Sequence, residues 1–361
     1  MDFWYPSSLE PAKVSAAMRF FDMEMGPHEA LFSRIPARDL VQLMQTCRCV
    51  YFLIMETCFS LPRLLSPFFG DATKVQQFRQ MQSRTGTIIS GSTALQFFNR
   101  LTWTDSDLDI YVPRVSAALA VIFIMENGYT YNPRKSQDKN VSAQLSVSVS
   151  DRPPSYLGRG IADVLDFHKG ERKIQVIVAT TTPLEIILSF HSTCVMNIIT
   201  HDNAFALYPR STFITNEALV VETVGAGQEA GRQKYIDRGW QMIRSPSVDC
   251  RSELGVRLVR WVGDHFTWTI PLPPLPVETA DTDLCPINSW RLDCDVHTTW
   301  TTWGVLTHPA FRYQYIIGDA GSLETVSANV LSVFESDADA ELCRAIVLYR
   351  EKKINQGLLP Y

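Results

Sequence analysis

The stretch from Thr87 to Val112 constrains the fold of this chain more tightly than any other. Thr87-Ile88-Ile89 is a short β-prone run that ends at Gly91-Ser92. Thr93 to Arg100 has helix character, and Leu108 to Val112 reads as a strand. In a strand, Asp107 and Asp109 share one face while Leu108 and Ile110 turn to the other, into a core. A polar β-turn, Thr104 to Asp107, leading into a half-buried strand is the plainer reading of the same residues.

The spacing has chemical consequences. Carboxylates at i and i+2 of a strand stand roughly 6.5 Å apart at the backbone. Their tips can converge on divalent ions held about 3.5–4 Å apart, as in phosphoryl transfer. Glycine lets backbone approach a phosphate closely, and helix-start amides with a serine hydroxyl can hold it. Gly91 and Ser92 are therefore the candidate phosphate cradle, and Asp107 and Asp109 the candidate metal ligands and catalytic residues.

The flanking pattern extends the unit. Pro113 to Asn127 reads as a helix with Ala117, Ala118, Val121, Ile122 and Met125 toward the core, capped by Gly128. Ile161 to Phe167 and Lys173 to Ala179 form a predicted hairpin turning at Lys169-Gly170. Thr182-Pro183-Leu184-Glu185 is a capping box expected to open a helix reaching about Thr200.

Here the chain resembles the nucleotidyltransferase fold of the polymerase β superfamily. The resemblance rests on Ile89, Gly91 and Ser92 followed by Asp107-Leu108-Asp109-Ile110. Ser106-Asp107-Leu108-Asp109 is similar to the minimal nucleotidyltransferases, and Gly91-Ser92-Thr93-Ala94-Leu95 to antitoxin-associated members. The fourteen residues between Ser92 and Asp107 exceed the usual gap and require an extra turn or loop. The resemblance implies Mg²⁺-dependent transfer of a nucleoside monophosphate from an NTP to a hydroxyl acceptor. It also implies a third carboxylate on a neighbouring strand, and the matching position holds Gln175. An amide neither acts as a base nor balances a metal's charge. Of Asp163 and Asp166, three apart on the partner strand, a regular strand brings at most one to the cleft. Asp105 lies too far along the strand to stand in. Two readings stay open: an active transferase, or a degenerate one serving as a scaffold.

The rest of the 361-residue chain divides around this unit. Residues 1–83 are expected to be helical, 84–200 to form the nucleotidyltransferase-like α/β mixed sheet, and 201–361 a mixed, tryptophan-rich α+β region. The Pro271 to Pro276 run is a linker or surface strap. A helix is expected from near Pro36 to residue 55, with Leu40, Leu43, Met44, Cys47 and Tyr51 on one face, and a second apolar helix follows a turn at Ser60 to Arg63. Ile35-Pro36, Asp39-Leu40, Leu43, Cys47-Arg48 and Tyr51 resemble the later part of an F-box, which implies docking on the adaptor of cullin-type ubiquitin ligases. The usual opening of that motif is missing, and a helical hairpin packing on the α/β unit competes with it.

Net charge is −5, contributed as 0, +1 and −6 by the three regions, so bulk coating of nucleic acid or an anionic membrane is excluded. The most apolar run, Cys49 to Met55, is too short for a membrane span, and no signal peptide is expected before it. The eight cysteines lack framework spacing and read as reduced thiols, which points to a cytoplasmic or nuclear setting.

Weaker signals receive plain readings. Gly225, Gly227 and Gly231 are assigned to a surface loop rather than a dinucleotide loop. Cys285, Cys294, His297 and His308 do not match zinc spacing. His191 is read as a hydrogen-bonded core residue. Lys135, Lys139, Arg152 and Arg159 are charges in a polar segment that could meet a triphosphate.

Overall fold

The computed structural model describes residues 25–103, 106–147, 160–180, 182–221, 226–244, 254–256, 258–275, 289–294 and 301–306. It is a mixed α/β architecture in which helices flank a multi-strand mixed sheet. The strands are β1 Ile88–Ile89, β2 Leu108–Pro113, β3 Thr130–Asn132, β4 Ile161–Lys169, β5 Arg172–Ala179, β6 Asn197–Ile199, β7 Asn203–Ala206, β8 Glu217–Leu219, β9 Gln241–Ile243, β10 Val259–Trp261, β11 Trp268–Pro271, β12 Ser289–Cys294 and β13 Thr301–Leu306.

Eight of them form one sheet in the order β11-β7-β6-β1-β2-β5-β4-β3. β1 runs antiparallel to β2 and β6, whereas β2 and β5 are parallel. That parallel pairing needs a crossover. The Ala117–Glu126 helix, β3 and the β4 arm of the hairpin supply it. The sheet continues past residue 200 into β7 and β11, so the C-terminal region contributes β7 and the edge strand β11 to it.

Alternation along each strand builds two cores. Leu108, Ile110, Leu165, Phe167, Ile174 and Val176 bury one face under Phe78, Ala120 and Ile124 and the N-terminal helices. Tyr111, Ile177 and Ala179 bury the other face with Leu184, Ile187 and Trp290.

Several expectations need correction. The helix expected over 36–55 is two helices, Ala37–Met44 and Arg48–Thr57, broken at residues 45–47. Ser60 then caps the Leu61–Phe69 helix by accepting from the Arg63 amide at 3.3 Å. Residues 48–69 have the length and composition of a membrane span, yet they form these two helices, with Ile54, Leu61 and Leu65 in the core.

In the Ala117–Glu126 helix the buried residues are Ala117, Ala120, Val121 and Ile124, and Ala118, Ile122 and Met125 are exposed. Both faces are apolar, so periodicity could not choose between them. The helix after Thr182 stops at Leu188 rather than near Thr200, and β-prone residues 197–199 join the sheet as β6 beside β1. Thr182 makes no side-chain cap bond.

Gly227 and Gly231 lie in the Ala226–Ile236 helix, not in a loop. A Cβ at Gly231 would stand 2.8 Å from His191 Cδ2, so the glycine permits this helix to pack on the imidazole. His191 is buried and shares a 2.7 Å hydrogen bond with Ser192 Oγ; burial, reinforced by Arg232 and Lys234, lowers its pKa to about 4.

Residues 271–273 of the proline run are tied into the fold, and Pro276 lies outside the described residues. Tyr51 donates to the Pro271 carbonyl at 2.5 Å, Arg79 donates to the Pro273 and His201 carbonyls, and Leu272 is buried. Cys47, Cys49, Cys58 and Cys194 are free thiols. Cys285, His297, His308, Arg152, Arg159, Asp105 and Gly225 lie outside the described residues.

Candidate functional site

The site begins where β1 hands over to the Gly91–Asn99 helix. Ser90 is extended, and its hydroxyl donates to the Asn197 carbonyl at 2.5 Å, fixing the strand end to β6. Gly91 then takes φ +66°, a left-handed conformation that a side chain adopts only with strain. A Cβ there would lie 3.4 Å from Asp109 Oδ2 and 3.8 Å from the Tyr111 hydroxyl. The turn therefore presents bare backbone to the Asp109 carboxylate. Ser92 is buried in the following turn.

Asp109 sits on β2 with its Oδ1 buried and without a hydrogen-bond partner. Burial above all, and then the Asp107 charge, raise its pKa to about 7, although Lys173 and Lys234 partly offset the rise. Asp107 stands just before β2, and its carbonyl accepts from the Thr93 hydroxyl at 3.2 Å. Its carboxylate, unlike that of Asp109, is open to solvent and pairs with Lys173 Nζ at 3.2 Å.

Strand register completes the row. Asp109 faces Gln175, Gln175 faces Asp166, and Asp166 faces Asn132. With strands spaced about 4.8 Å apart, Asp166 is two steps, roughly 9.6 Å, from Asp109 at the backbone. Gln175 Nε2 donates to Asp166 Oδ1 at 2.5 Å, which leaves Gln175 Oε1 as the ligand-capable atom of that amide. Asp166 also pairs with Arg134 at 3.0 Å and Lys173 at 3.6 Å. Burial pushes the Asp166 carboxyl up, but hydrogen bonds from Arg134 and Gln175 together with the Lys173 charge hold it below the ordinary range.

Asp163 takes the other route. A register shift separates Ile161 and Asp163, and the carboxylate accepts from Gln137 and Gln144, each at 2.8 Å. It fastens the segment after β3 and lies on the face of Leu165 and Phe167, away from Asp109.

The Ala226–Ile236 helix brings the Lys234 charge near Asp109 and Asp107. Burial lowers the Lys234 pKa, Arg238 lowers it further, and the charges of Asp109 and Asp107 act against both. Arg238 lies over the Trp103 ring at 3.6 Å, and its buried Nη1 has no partner. Lys135 and Lys139 are exposed in the segment before the Val141–Ser146 helix.

Of the candidates from sequence, Gly91, Asp109 and Gln175 stand side by side, Asp107 lies two residues before Asp109 and pairs with Lys173, and Asp166 joins through Gln175, while Asp163 faces the other way. Sequence reasoning missed Lys173, Lys234 and Arg238. Lys173 carried a usable signal, because it is two residues before Gln175 and so on the same face. Lys234 lies three residues past Gly231 in the helix whose glycines read as a loop.

The donors suit a hard divalent cation in part. The orphaned Asp109 Oδ1, the Asp107 carboxylate and the Gln175 amide oxygen are oxygen ligands of the kind magnesium takes. Among the described residues, no three His, Cys, Asp or Glu side chains gather closely enough to hold a metal by themselves. No family model, curated protein or solved structure matches this chain.

Proposed function

We propose that this cleft binds a magnesium–nucleotide complex in the manner of a nucleotidyltransferase. The observation that carries the reading is the buried, unpartnered Oδ1 of Asp109 beside the left-handed Gly91, with Asp107 two residues away. An anion-accepting helix start would then stand beside two carboxylates able to hold a divalent ion.

In this reading the Gly91 and Ser92 amides receive phosphate oxygens, because no side chain at Gly91 keeps them away. Asp107 and Asp109 hold the cation, with Gln175 Oε1 as a neutral donor. The cation would supply charge neutralisation at the phosphates and activation of an acceptor hydroxyl. Lys173 and Lys234 bring positive charge to the same space, where a polyphosphate would pair with them. Asp109 must lose its proton to ligate, so binding strengthens as pH rises through about 7.

One observation favours a second reading, a degenerate transferase that binds without transferring. Gln175 cannot accept the acceptor's proton, and Asp166, the carboxylate beyond it, is engaged by Arg134, Gln175 and Lys173. The adaptor form of this scaffold reading, with the F-box-like segment on a cullin-ligase adaptor, must use a face other than that of Leu40 and Leu43. Leu40 is buried, and Leu43 packs against the core.

Incubation of the protein with Mg²⁺ and labelled NTPs, with cellular RNA and protein as acceptors, tests the first reading. Transfer abolished by Asp107→Asn supports it. Binding without transfer supports the second, and no binding defeats both.

A further inference from the structure

Two buried polar groups stand at Gly91 without partners. Asp109 makes no side-chain hydrogen bond among the described residues, and its Oδ1 is buried. Tyr111 follows two residues later on β2, so its side chain leaves the same face of the sheet. It is 5 % exposed, yet its hydroxyl forms no hydrogen bond among the described residues. A buried tyrosine hydroxyl usually finds a partner, because burial has stripped its hydration.

The tyrosine ring is held in place. Strand register sets Ile88 on one side of Tyr111 and Ile177 on the other, and all three belong to one core. Phe190 meets the ring edge-on, with centroids 5.8 Å apart and planes at 61°. The hydroxyl end points toward Gly91. A Cβ there would lie 3.4 Å from Asp109 Oδ2 and 3.8 Å from the Tyr111 hydroxyl. Apart from Gly91's own chain neighbours and helix, no other atom of the described residues comes within 4 Å of that point. The glycine therefore leaves open the gap between a donor and an acceptor that do not bond each other. A phenol near neutral pH is protonated and donates, and a carboxylate with a cation on one oxygen still accepts at the other.

We propose that Tyr111 is a positioning residue for the cation: when a divalent ion takes Asp109 Oδ1, the Tyr111 hydroxyl donates to Asp109 Oδ2 and fixes the carboxylate beside Gly91. The inference rests on the reading of Asp109 as a metal ligand. It gives Gly91 a second use, since a side chain there would separate the pair. The hydroxyl gains its partner only in the metal-bound molecule, so it contributes to metal affinity and not to the stability of the metal-free protein. Hydrogen bonds that orient a ligating carboxylate in this way are worth about 10–100-fold in metal affinity.

Mn²⁺ titration followed by electron paramagnetic resonance at pH 8, on the unmodified protein and on Tyr111→Phe, tests it, together with urea denaturation of both in EDTA. Phenylalanine keeps the ring and its packing and removes only the hydroxyl. We expect Mn²⁺ affinity to fall about tenfold or more. The metal-free urea midpoint should stay equal or rise, because the hydroxyl has no partner there to lose. In the unmodified protein Mg²⁺ should produce a tyrosine ultraviolet difference spectrum that Tyr111→Phe lacks. Affinity within about twofold of the unmodified protein, or the same difference spectrum in both proteins, would overturn the proposal. A lower metal-free midpoint would also overturn it, because the hydroxyl would then be bonded without the metal. These results leave the magnesium–nucleotide reading standing, whereas no Mn²⁺ binding by the unmodified protein would defeat both.

Discussion

Lys173 places its ammonium 3.2 Å from the Asp107 carboxylate. The same nitrogen lies 3.6 Å from Asp166, so a protein cation already bridges two carboxylates at the cleft. This arrangement sets a competition between Lys173 and any divalent ion. Replacing Lys173 with Met should tighten Mn²⁺ binding about three- to tenfold at pH 8, the range expected for a partly exposed pair. Titration followed by electron paramagnetic resonance reads the free ion directly. Unchanged or weaker binding would show that Lys173 does not compete for the cation position.

Asp109 gives the site a pH dependence. Its folded pKa of about 7 stands above the ordinary 3.8, so the folded chain binds more protons than the unfolded one between those values. Stability contributed through this group therefore falls as pH rises across that window. Asp109→Asn should raise stability at pH 8 by about 1–3 kcal/mol relative to its effect at pH 4. Urea denaturation at both pH values measures it, and a pH-independent difference would be the contrary result.

Gly91 is held at φ +66° beside the same carboxylate. Gly91→Ala should cost about 1–2 kcal/mol of stability from backbone strain. It should also weaken nucleotide affinity, because the new methyl occupies the approach to the helix start. Loss of stability with full nucleotide affinity would place the phosphate elsewhere.

Away from the cleft, Arg260 and Asp264 form a buried ion pair. Arg260 also donates to the Leu254 and Leu207 carbonyls and lies against Tyr208 and Trp290. Asp264→Ala leaves that guanidinium buried without its counter-charge and should destabilise the fold by about 3–5 kcal/mol. Thermal and chemical denaturation would measure this, and a loss below about 1 kcal/mol would mean that water reaches the arginine.

How much of this was legible in the sequence follows from the range of the interactions. The order β1, helix, β2 was readable because each piece has a local cause: β-branched residues, a glycine, then strict alternation around Asp109. The β4–β5 hairpin was readable for the same reason. The place of Gln175 beside Asp109 came with the resemblance, but that Asp166 rather than Asp163 extends the row was not readable, because it depends on the register of strands far apart in the chain. The buried face of the Ala117–Glu126 helix was ambiguous because apolar side chains surround it. Lys234 and Arg238 were hidden by Gly227 and Gly231, which read as loop residues. Gly231 in fact serves close helix packing on His191. The early end of the helix at Leu188 reflects capture of residues 197–199 by the sheet, a tertiary effect that outweighs local propensity.

The central claim is that Asp107 and Asp109 hold a magnesium–nucleotide complex over Gly91. Calorimetric titration of ATP into the protein at pH 8, with Mg²⁺ and then with EDTA, tests it most directly. The account predicts saturable binding that requires Mg²⁺ and is lost in the double variant Asp107→Asn, Asp109→Asn while that variant stays folded. Binding that is indifferent to Mg²⁺ and survives the double substitution would contradict it.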